Sequence, residues 1–460
     1  MLLSLAADFK VSYKPRSNRP PTNQHRRLPK PNPGGHEDGG QEEEGSRPHG
    51  GSPPANCSTP GDNDEVVKSA KQVYLVAPLR SKKPPAHRVF MLEPAAAAAG
   101  ADGREPRRRR ARAVAEFPSG GERHTMSFVV AHWEQRSWIV GVGGTHGDTY
   151  IHDPSTAETI QGPELQPKRR PILLSMGGKV YAMSRYPEVR KSQFDFEPWF
   201  KSLSLRKGVP TVTGPGYRAW KHLPSPPCFP CLLDPLEYRN PPRVSVKSYA
   251  AVASSHILIS LDDNNEAGTW AFDVAKKTWV KVSNQGLPFV GQAVPLGGSL
   301  FAACYTTNNS DRATAIFDMS IKGSSTQSAS GKLATSLLSI LEYPVASVED
   351  TLPIFCPTGK GSFCSIWLGP SCQIRKARSH AKKRLKIILT AFKIDNIDDI
   401  LTACQKGSDK AEEVLQVPVQ VKHQNQTYKL HGAPTFQNAR MPPIALLSMD
   451  TELHELFERT

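Results

Sequence analysis

The sequence of 460 residues predicts an all-β fold, because one strand-rich unit recurs between about residues 137 and 320. Each copy has an apolar strand, a glycine pair, a second strand that ends in an aromatic-Asp turn, and a closing segment. The Phe-Asp turns at Phe272 and Phe317 are 45 residues apart, and a four-stranded propeller blade takes roughly 40 to 50 residues. The repeat therefore predicts a β-propeller, a radial fold that usually binds rather than catalyses.

The copies follow one another along the chain. The glycine pairs permit a tight strand end where a positive φ is needed, and the aromatic residues can fill the wedge between blades. The clearest strand and turn segments are residues 138–144 with 149–154, 172–178 with 180–183, 269–273 and 314–318. At four strands a blade, the 18 to 20 strands that the whole sequence predicts make roughly five or six blades.

The ends of the chain have a different composition. Residues 1–66 are rich in Pro, Gly and charge, with almost no aromatic residues, so this tail cannot bury enough apolar surface to offset its backbone entropy and is predicted to be disordered. The propeller is assigned to residues 67–440 and starts with a hairpin made of 72–77 and 87–92. Residues 441–460 are expected to form a C-terminal tail.

Several further segments complete the predicted propeller. A low-complexity Ala and Arg loop is expected at residues 94–122, where it interrupts the β pattern. A short helix is expected at Ile397 to Cys404, since its apolar residues fall on one face. Further strands are expected at residues 199–205, 249–261, 363–368 and 384–392.

The bulk composition limits the compartment and the partners. The net charge is +15 and the pI is about 9.4, but about half of the excess lies in the first 120 residues, so the charge alone does not predict nucleic-acid binding. The sequence contains no apolar run of the ~18 to 20 residues that a membrane span needs, and its start lacks the features of a secretory signal. We expect an intracellular protein of the cytoplasm, the nucleus or both, with no membrane association.

Two sets of motifs resemble known families. Phe272-Asp273 followed by Trp279 is similar to a kelch repeat, and the resemblance extends over about residues 126–392. Three stretches look more specifically like an uncharacterised, kelch-like family of plant proteins that is abundant in grasses. They are residues 141–144 (GVGG), 220–227 (WKHLPSPP) and 287–293 (LPFVGQA). The resemblance implies a kelch-like propeller and no established activity.

Candidate chemical sites are few. Cys228 and Cys231 have the spacing of zinc ligands, but a structural zinc site needs a second pair, which is not evident. His152, His222 and His256 have no ligand spacing and are interpreted as blade or loop residues. We therefore expect no catalytic residues, no metal site and no cofactor, and we predict that the protein is not an enzyme.

Two basic runs, residues 107–112 and 375–384, have three interpretations. They can be nuclear import signals, nucleic-acid contacts or solvated loops. Aromatic residues do not interleave the arginines, so base stacking is not indicated. Nucleic acid is thus an unlikely partner.

The leading functional hypothesis is a non-catalytic, kelch-like propeller that binds an unknown protein partner. The alternative is a substrate receptor of a ubiquitin ligase, because many plant kelch proteins carry an N-terminal F-box. No F-box is evident in residues 1–66. A nucleic-acid-associated protein is the less favoured possibility.

Overall fold

The computed structural model is of the entire chain, which divides into Met1–Val66 and Val67–Thr460. All the residues described below belong to the second part, so the predicted tail at residues 1–66 lies outside them. The described residues are 72–79, 86–92, 109–118, 126–144, 146–168, 170–187, 199–212, 219–229, 244–262, 268–306, 312–322, 337–344, 354–369, 386–406, 418–430 and 445–449.

The described strands form six four-stranded antiparallel blades, which confirms the predicted all-β propeller. Blades 2 to 4 follow one another in sequence. Blade 2 consists of β4 (Ser127–Trp133), β5 (Arg136–Gly143), β6 (Asp148–Asp153) and β7 (Glu158–Gly162); blade 3 of β8 (Ile172–Met176), β9 (Lys179–Met183), β10 (Phe200–Ser204) and β11 (Lys221–His222); and blade 4 of β12 (Val246–Val252), β13 (His256–Leu261), β14 (Thr269–Asp273) and β15 (Thr278–Ser283).

Blades 5, 6 and 1 complete the circle. Blade 5 consists of β16 (Val290–Gly297), β17 (Leu300–Thr306), β18 (Arg312–Lys322) and β19 (Leu337–Pro344), and blade 6 of β20 (Phe355–Gly359), β21 (Ser362–Gly369), β22 (Lys386–Ile394) and β23 (Val421–Leu430). Blade 1 combines β1 (Val73–Leu79), β2 (Ala86–Leu92) and β3 (Arg109–Pro118) with β24 (Ala445–Ser448). The predicted helix is α1 (Ile397–Lys406), between β22 and β23.

Blade 1 is closed by the C-terminal end of the chain. Strand β24 pairs antiparallel with β1, so that Val73 lies opposite Ser448 and Val76 opposite Ala445. The expectation that residues 441–460 form a tail is therefore wrong for Ala445–Ser448. A four-residue strand carries little local signal, and its pairing partner lies more than 360 residues away in the sequence.

The predicted loop at residues 94–122 is also corrected by the structure. Its second half contains β3, which pairs with β2 through contacts such as Phe117 opposite His87. The arginine-rich composition suggested a loop, but Phe117 is fully buried. Ala111 is buried as well, and Val114 and Ala115 pack against the core, so the apolar residues between the arginines hold this outer strand on its blade.

The six innermost strands form a ring around the propeller axis. Each contacts the next in the order β24, β4, β8, β12, β16, β20, and β20 contacts β24. The strands of a blade are counted outward from the axis. One end of the axis, which we call the turn face, has the turns that join the first strand to the second and the third to the fourth. The opposite end is the loop face.

The glycine pair at Gly177 and Gly178 makes the kind of turn that the sequence predicts. Both residues have positive φ, 55° and 65°, and they join Met176 to Lys179 in a two-residue hairpin. This combination is typical of a type I′ turn, whose twist matches that of the flanking strands.

The aromatic-Asp turns have an equally local cause. A side-chain oxygen of Asp273 accepts hydrogen bonds from the backbone N–H groups of Ala275 and Lys276, both at 2.9 Å. Asp153 accepts one from the N–H of Ser155 at 2.9 Å in blade 2. The carboxylate therefore closes the turn between the third and fourth strands.

Aromatic residues fill the wedge between blades 3 and 4. The fully buried rings of Phe200 and Phe272 meet edge to face at 4.9 Å, and Trp279 lies 5.6 Å and 5.1 Å from them. Trp279 thus lies between blades, but it is only partly buried.

Candidate functional site

The ring of inner strands encloses a central channel with a cavity of about 260 Å³. All six blades contribute to its wall, which is mainly apolar. Representative apolar residues are Val129, Leu173, Val294, Phe355 and Leu446. A cavity at the centre of a radial fold is the default place to look for a ligand.

A small number of polar side chains reach this cavity. Arg185 follows β9 at the loop-face end, and its Nη2 donates a hydrogen bond of 3.3 Å to the hydroxyl of Tyr249. Its guanidinium carbon lies 5.5 Å from the centre of the Tyr249 ring. The other hydrogen-bonding residues of the wall are Ser127, His132, Ser175, Ser254, Gln292 and Ser448.

A second candidate site is a group of cations on the turn face, which we call the basic cluster. It consists of Lys179, Arg206, Lys221 and Lys277, at the turn-face ends of blades 3 and 4. Burial lowers the pKa of Lys179, and Arg206, Lys277 and Lys221 lower it further by charge repulsion. Arg206, Lys221 and Lys277 are thus close enough to Lys179 to repel its charge.

The basic cluster is not neutralised by the carboxylates of the described residues. None of its four members forms an ion pair with an Asp or Glu in that part of the chain. Arg206, Lys221 and Lys277 are exposed, and Lys179 is half-buried. An unpaired group of cations is electrostatically costly in the free protein, and an anion that binds there relieves the repulsion.

Arg206 is held in place by its neighbours. Its Nε donates a 2.7 Å hydrogen bond to the carbonyl of Gly177, and its guanidinium carbon lies 4.9 Å from the ring centre of Trp133 in blade 2. A Cβ on Gly178 would lie 2.4 Å from the Trp133 ring and 2.8 Å from Arg206. The glycine turn therefore makes room for a cation that is fixed on an aromatic ring.

Ser255, His256 and Asp273 lie together on blade 4, in residue types that can form a hydrolytic triad. Ser255 Oγ is 2.8 Å from His256 Nδ1, but His256 Nε2 is 3.9 Å from Asp273 Oδ2, too far for a hydrogen bond. The other Asp273 oxygen closes the turn. This geometry supports a structural role for the group.

The remaining predicted candidates are separated in the fold. His152 is buried on β6, where its Nδ1 lies 2.9 Å from Thr159 Oγ1, and His222 is exposed on β11. Cys228 packs against the core of blades 3 and 4, while Cys231 lies outside the described residues. Within the described ranges, no group of three or more His, Cys, Asp or Glu is placed to hold a metal ion.

Sequence reasoning missed both the channel residues and the basic cluster. It considered runs of basic residues, and the run at residues 375–384 lies outside the described residues. The four cluster residues span almost a hundred positions, from Lys179 to Lys277, and only the packing of blades 3 and 4 brings them together. Lys179 follows the glycine pair directly, but nothing in the neighbouring sequence distinguishes it from other lysines.

Comparison with known proteins gives the family. Residues 70–424 match the family model described as "Protein of unknown function (DUF1668)". The chain belongs to this family. The match to DUF1668 ends before β24, the strand that closes blade 1. No curated protein matches the DUF1668 chain.

Solved structures with a similar fold are distant in sequence. TolB from Acinetobacter baumannii is 8% identical with a TM-score of 0.40, covering 83% of this chain and 67% of TolB. A structural genomics protein of unknown function from Bacteroides thetaiotaomicron is 9% identical with a TM-score of 0.28, covering 70% and 76%. A member of the DUF4221 family from Bacteroides vulgatus is 7% identical with a TM-score of 0.25, covering 58% and 78%.

The described helix, α1 (Ile397–Lys406), is ten residues long. Within the described part of the chain, no helix combines the length and apolar character needed to cross a bilayer.

Proposed function

We propose that this DUF1668 protein is a non-catalytic, kelch-like protein-interaction module whose turn face binds an acidic segment of a protein partner. The single observation that carries the proposal is the basic cluster. In it Arg206, Lys221 and Lys277 lie close enough to Lys179 to repel its charge, and none of the four forms an ion pair with a carboxylate of the described residues. An acidic peptide brings the opposite charge to this surface and increases the association rate.

The surroundings of the cluster favour a protein over a simple ion. Arg206 is fixed by Trp133 and by the Gly177 carbonyl, so one cation of the surface is already ordered before binding. Arginine and tryptophan are enriched at the energetic centres of protein interfaces. The partly buried Trp133 ring offers apolar contact beside the charges.

The experiment measures binding of a fluorescent Glu- and Asp-rich peptide by fluorescence anisotropy. The test variant is Lys221→Glu with Lys277→Glu, which reverses two exposed charges of the cluster. The matched control is Lys247→Glu with Lys393→Glu, which changes the net charge equally at exposed sites outside the cluster. We expect the test variant to weaken binding at least about tenfold and the control to keep most of it.

Two further measurements vary the salt concentration and replace the peptide with an oligonucleotide. Peptide affinity should fall as salt rises, because exposed charges are screened. Equal affinities for the test and control variants would refute the proposal, as would an affinity for an oligonucleotide that exceeds the affinity for the peptide and depends on the cluster. A pull-down with wild type and test variant then identifies the natural partner.

A further inference from the structure

We infer that the central channel contains a binding site for a small organic carboxylate, with Arg185 as the residue that binds the anion. The inference does not depend on the proposed function, since the channel wall at Arg185 belongs to the loop-face end and the basic cluster to the turn face. Nothing in the family assignment gives this cavity a ligand.

The first step of the argument is the charge of the wall. Of the lining residues that the structure describes, Arg185 is the one with a permanent charge, and none is Asp or Glu. Arg185 forms no ion pair with a carboxylate of the described residues. Its guanidinium lies instead against Tyr249. A half-buried cation beside apolar walls lacks the counter-charge that such a position requires.

The second step is the geometry of the available donors. A guanidinium presents its N–H groups in a planar fork that matches the two oxygens of a carboxylate. The hydrogen bond to Tyr249 uses one of these groups and fixes the side chain. The Tyr249 hydroxyl accepts that bond and retains its own proton to donate to a ligand.

The third step is the size and polarity of the space. The cavity of about 260 Å³ has room for a small organic ligand. Leu173, Val294 and Phe355 give the wall an apolar character that fits an aromatic or short aliphatic body. A single cation complements a monoanion better than a phosphate dianion, whose second charge would be unmatched.

The experiment uses benzoate as the probe, with benzamide as its neutral isostere and inorganic phosphate as the other anion. Binding to the full chain is measured by ligand-observed NMR and calorimetry. The variants are Arg185→Gln, Arg185→Lys and Tyr249→Phe. The matched control is Arg112→Gln, at an exposed arginine on the outer strand β3 of blade 1. Thermal unfolding followed by circular dichroism establishes that each variant is folded.

We expect benzoate to bind the wild type and Arg112→Gln with similar affinity. Benzamide and phosphate should bind at least about tenfold more weakly, and Arg185→Gln should lower benzoate affinity by a similar factor, because a charge-assisted pair is lost. Arg185→Lys should keep part of the affinity, since the charge remains but the fork does not.

Two results would overturn the inference. One is the absence of benzoate binding to the wild type, and the other is unchanged benzoate affinity when Arg185 is replaced by Gln. If that variant does not fold, Arg185→Lys and Tyr249→Phe decide, because unchanged affinity in both contradicts a site built on this pair. Neither result depends on peptide binding at the turn face.

Discussion

The indole N–H of Trp220 donates a 3.0 Å hydrogen bond to the carbonyl of Pro163 and thereby connects the edge of blade 3 to the edge of blade 2. Trp279 repeats this contact one blade further on, with a 2.8 Å bond to the carbonyl of Pro224. In both cases the acceptor follows the outermost strand of the preceding blade. The two tryptophans thus tie consecutive blades together by the same device.

Replacement of Trp220 by Ala should strongly destabilise the propeller. The side chain is 5% exposed and its Nε1 also lies 3.2 Å from Thr149 Oγ1. Loss of the buried ring and the resulting cavity should lower the free energy of unfolding by about 3 to 5 kcal/mol. Urea unfolding followed by circular dichroism measures the effect.

Trp279→Ala should lower the free energy of unfolding by about 2 kcal/mol, less than Trp220→Ala. The Trp279 ring is only partly buried, so its removal loses less apolar contact. Phe at each position separates the hydrogen bond from packing. An equal cost for Trp279→Ala and Trp220→Ala would contradict the ranking by burial.

Gly147→Ala should destabilise the protein far more than Gly208→Ala. Both glycines have positive φ, 81° and 93°, so both substitutions strain the backbone. A Cβ at Gly147 would in addition lie 1.4 Å from the carbonyl oxygen of Leu165, whereas nothing lies within 4 Å at Gly208. We expect about 1 kcal/mol at Gly208 and at least about 3 kcal/mol at Gly147. Similar melting temperatures of the two variants would contradict the prediction, because they would show that the backbone at Gly147 and Leu165 moves to accommodate the added Cβ.

The free energy of unfolding should fall as the solution is acidified. The fall should occur over the pH range in which His87 is protonated in the unfolded chain but neutral in the folded one. Burial lowers the pKa of His87 from its usual 6.5 to about 4, and its Nδ1 has no hydrogen-bond partner among the described residues. The unfolded chain binds the proton first as pH falls, so stability is fully present above pH 6.5 and is lost progressively down to about pH 4. The loss should be about 3 kcal/mol.

The matched variant for this test is His87→Phe. Phe keeps an aromatic ring beside Phe128, which lies 5.4 Å from the His87 ring across the boundary of blades 1 and 2, but it cannot titrate. Urea unfolding from pH 7 to pH 4.5 should show a shallower loss than in wild type. An identical pH dependence of the two proteins would assign the acid sensitivity to other groups.

Removal of the closing strand should prevent folding of blade 1. A chain that ends at residue 440 lacks Leu446, which is 4% exposed and packs in the core with Leu75, and it leaves the inner edge of β1 unpaired. A chain that ends at residue 450 keeps β24 and is the control. We expect the shorter chain to aggregate or melt at a markedly lower temperature, as size-exclusion chromatography and calorimetry would reveal. Equal melting temperatures would contradict the role of β24.

Local sequence signals predicted the strands and turns of the blades, but they predicted neither the closure of blade 1 by β24 nor the two candidate sites. The Gly177 and Gly178 turn and the Asp273 turn are each specified within a few residues, so the sequence predicted them correctly. Strand β24 and the basic cluster depend on residues that are far apart in the sequence, and no local pattern encodes such pairings. The Arg185 and Tyr249 contact joins blades 3 and 4, and neither residue stands out before the ring has closed.

The closure of blade 1 by β24 also sets an order of events during protein synthesis. Strands β1 to β3 are made first, whereas β24 follows the strands of the other five blades. Because β1 needs β24 for the pairing of Val73 with Ser448, the circle cannot close before blades 2 to 6 have been synthesised. Until then the first hairpin keeps an unpaired edge, where it is open to chaperones and to mispairing with other nascent chains.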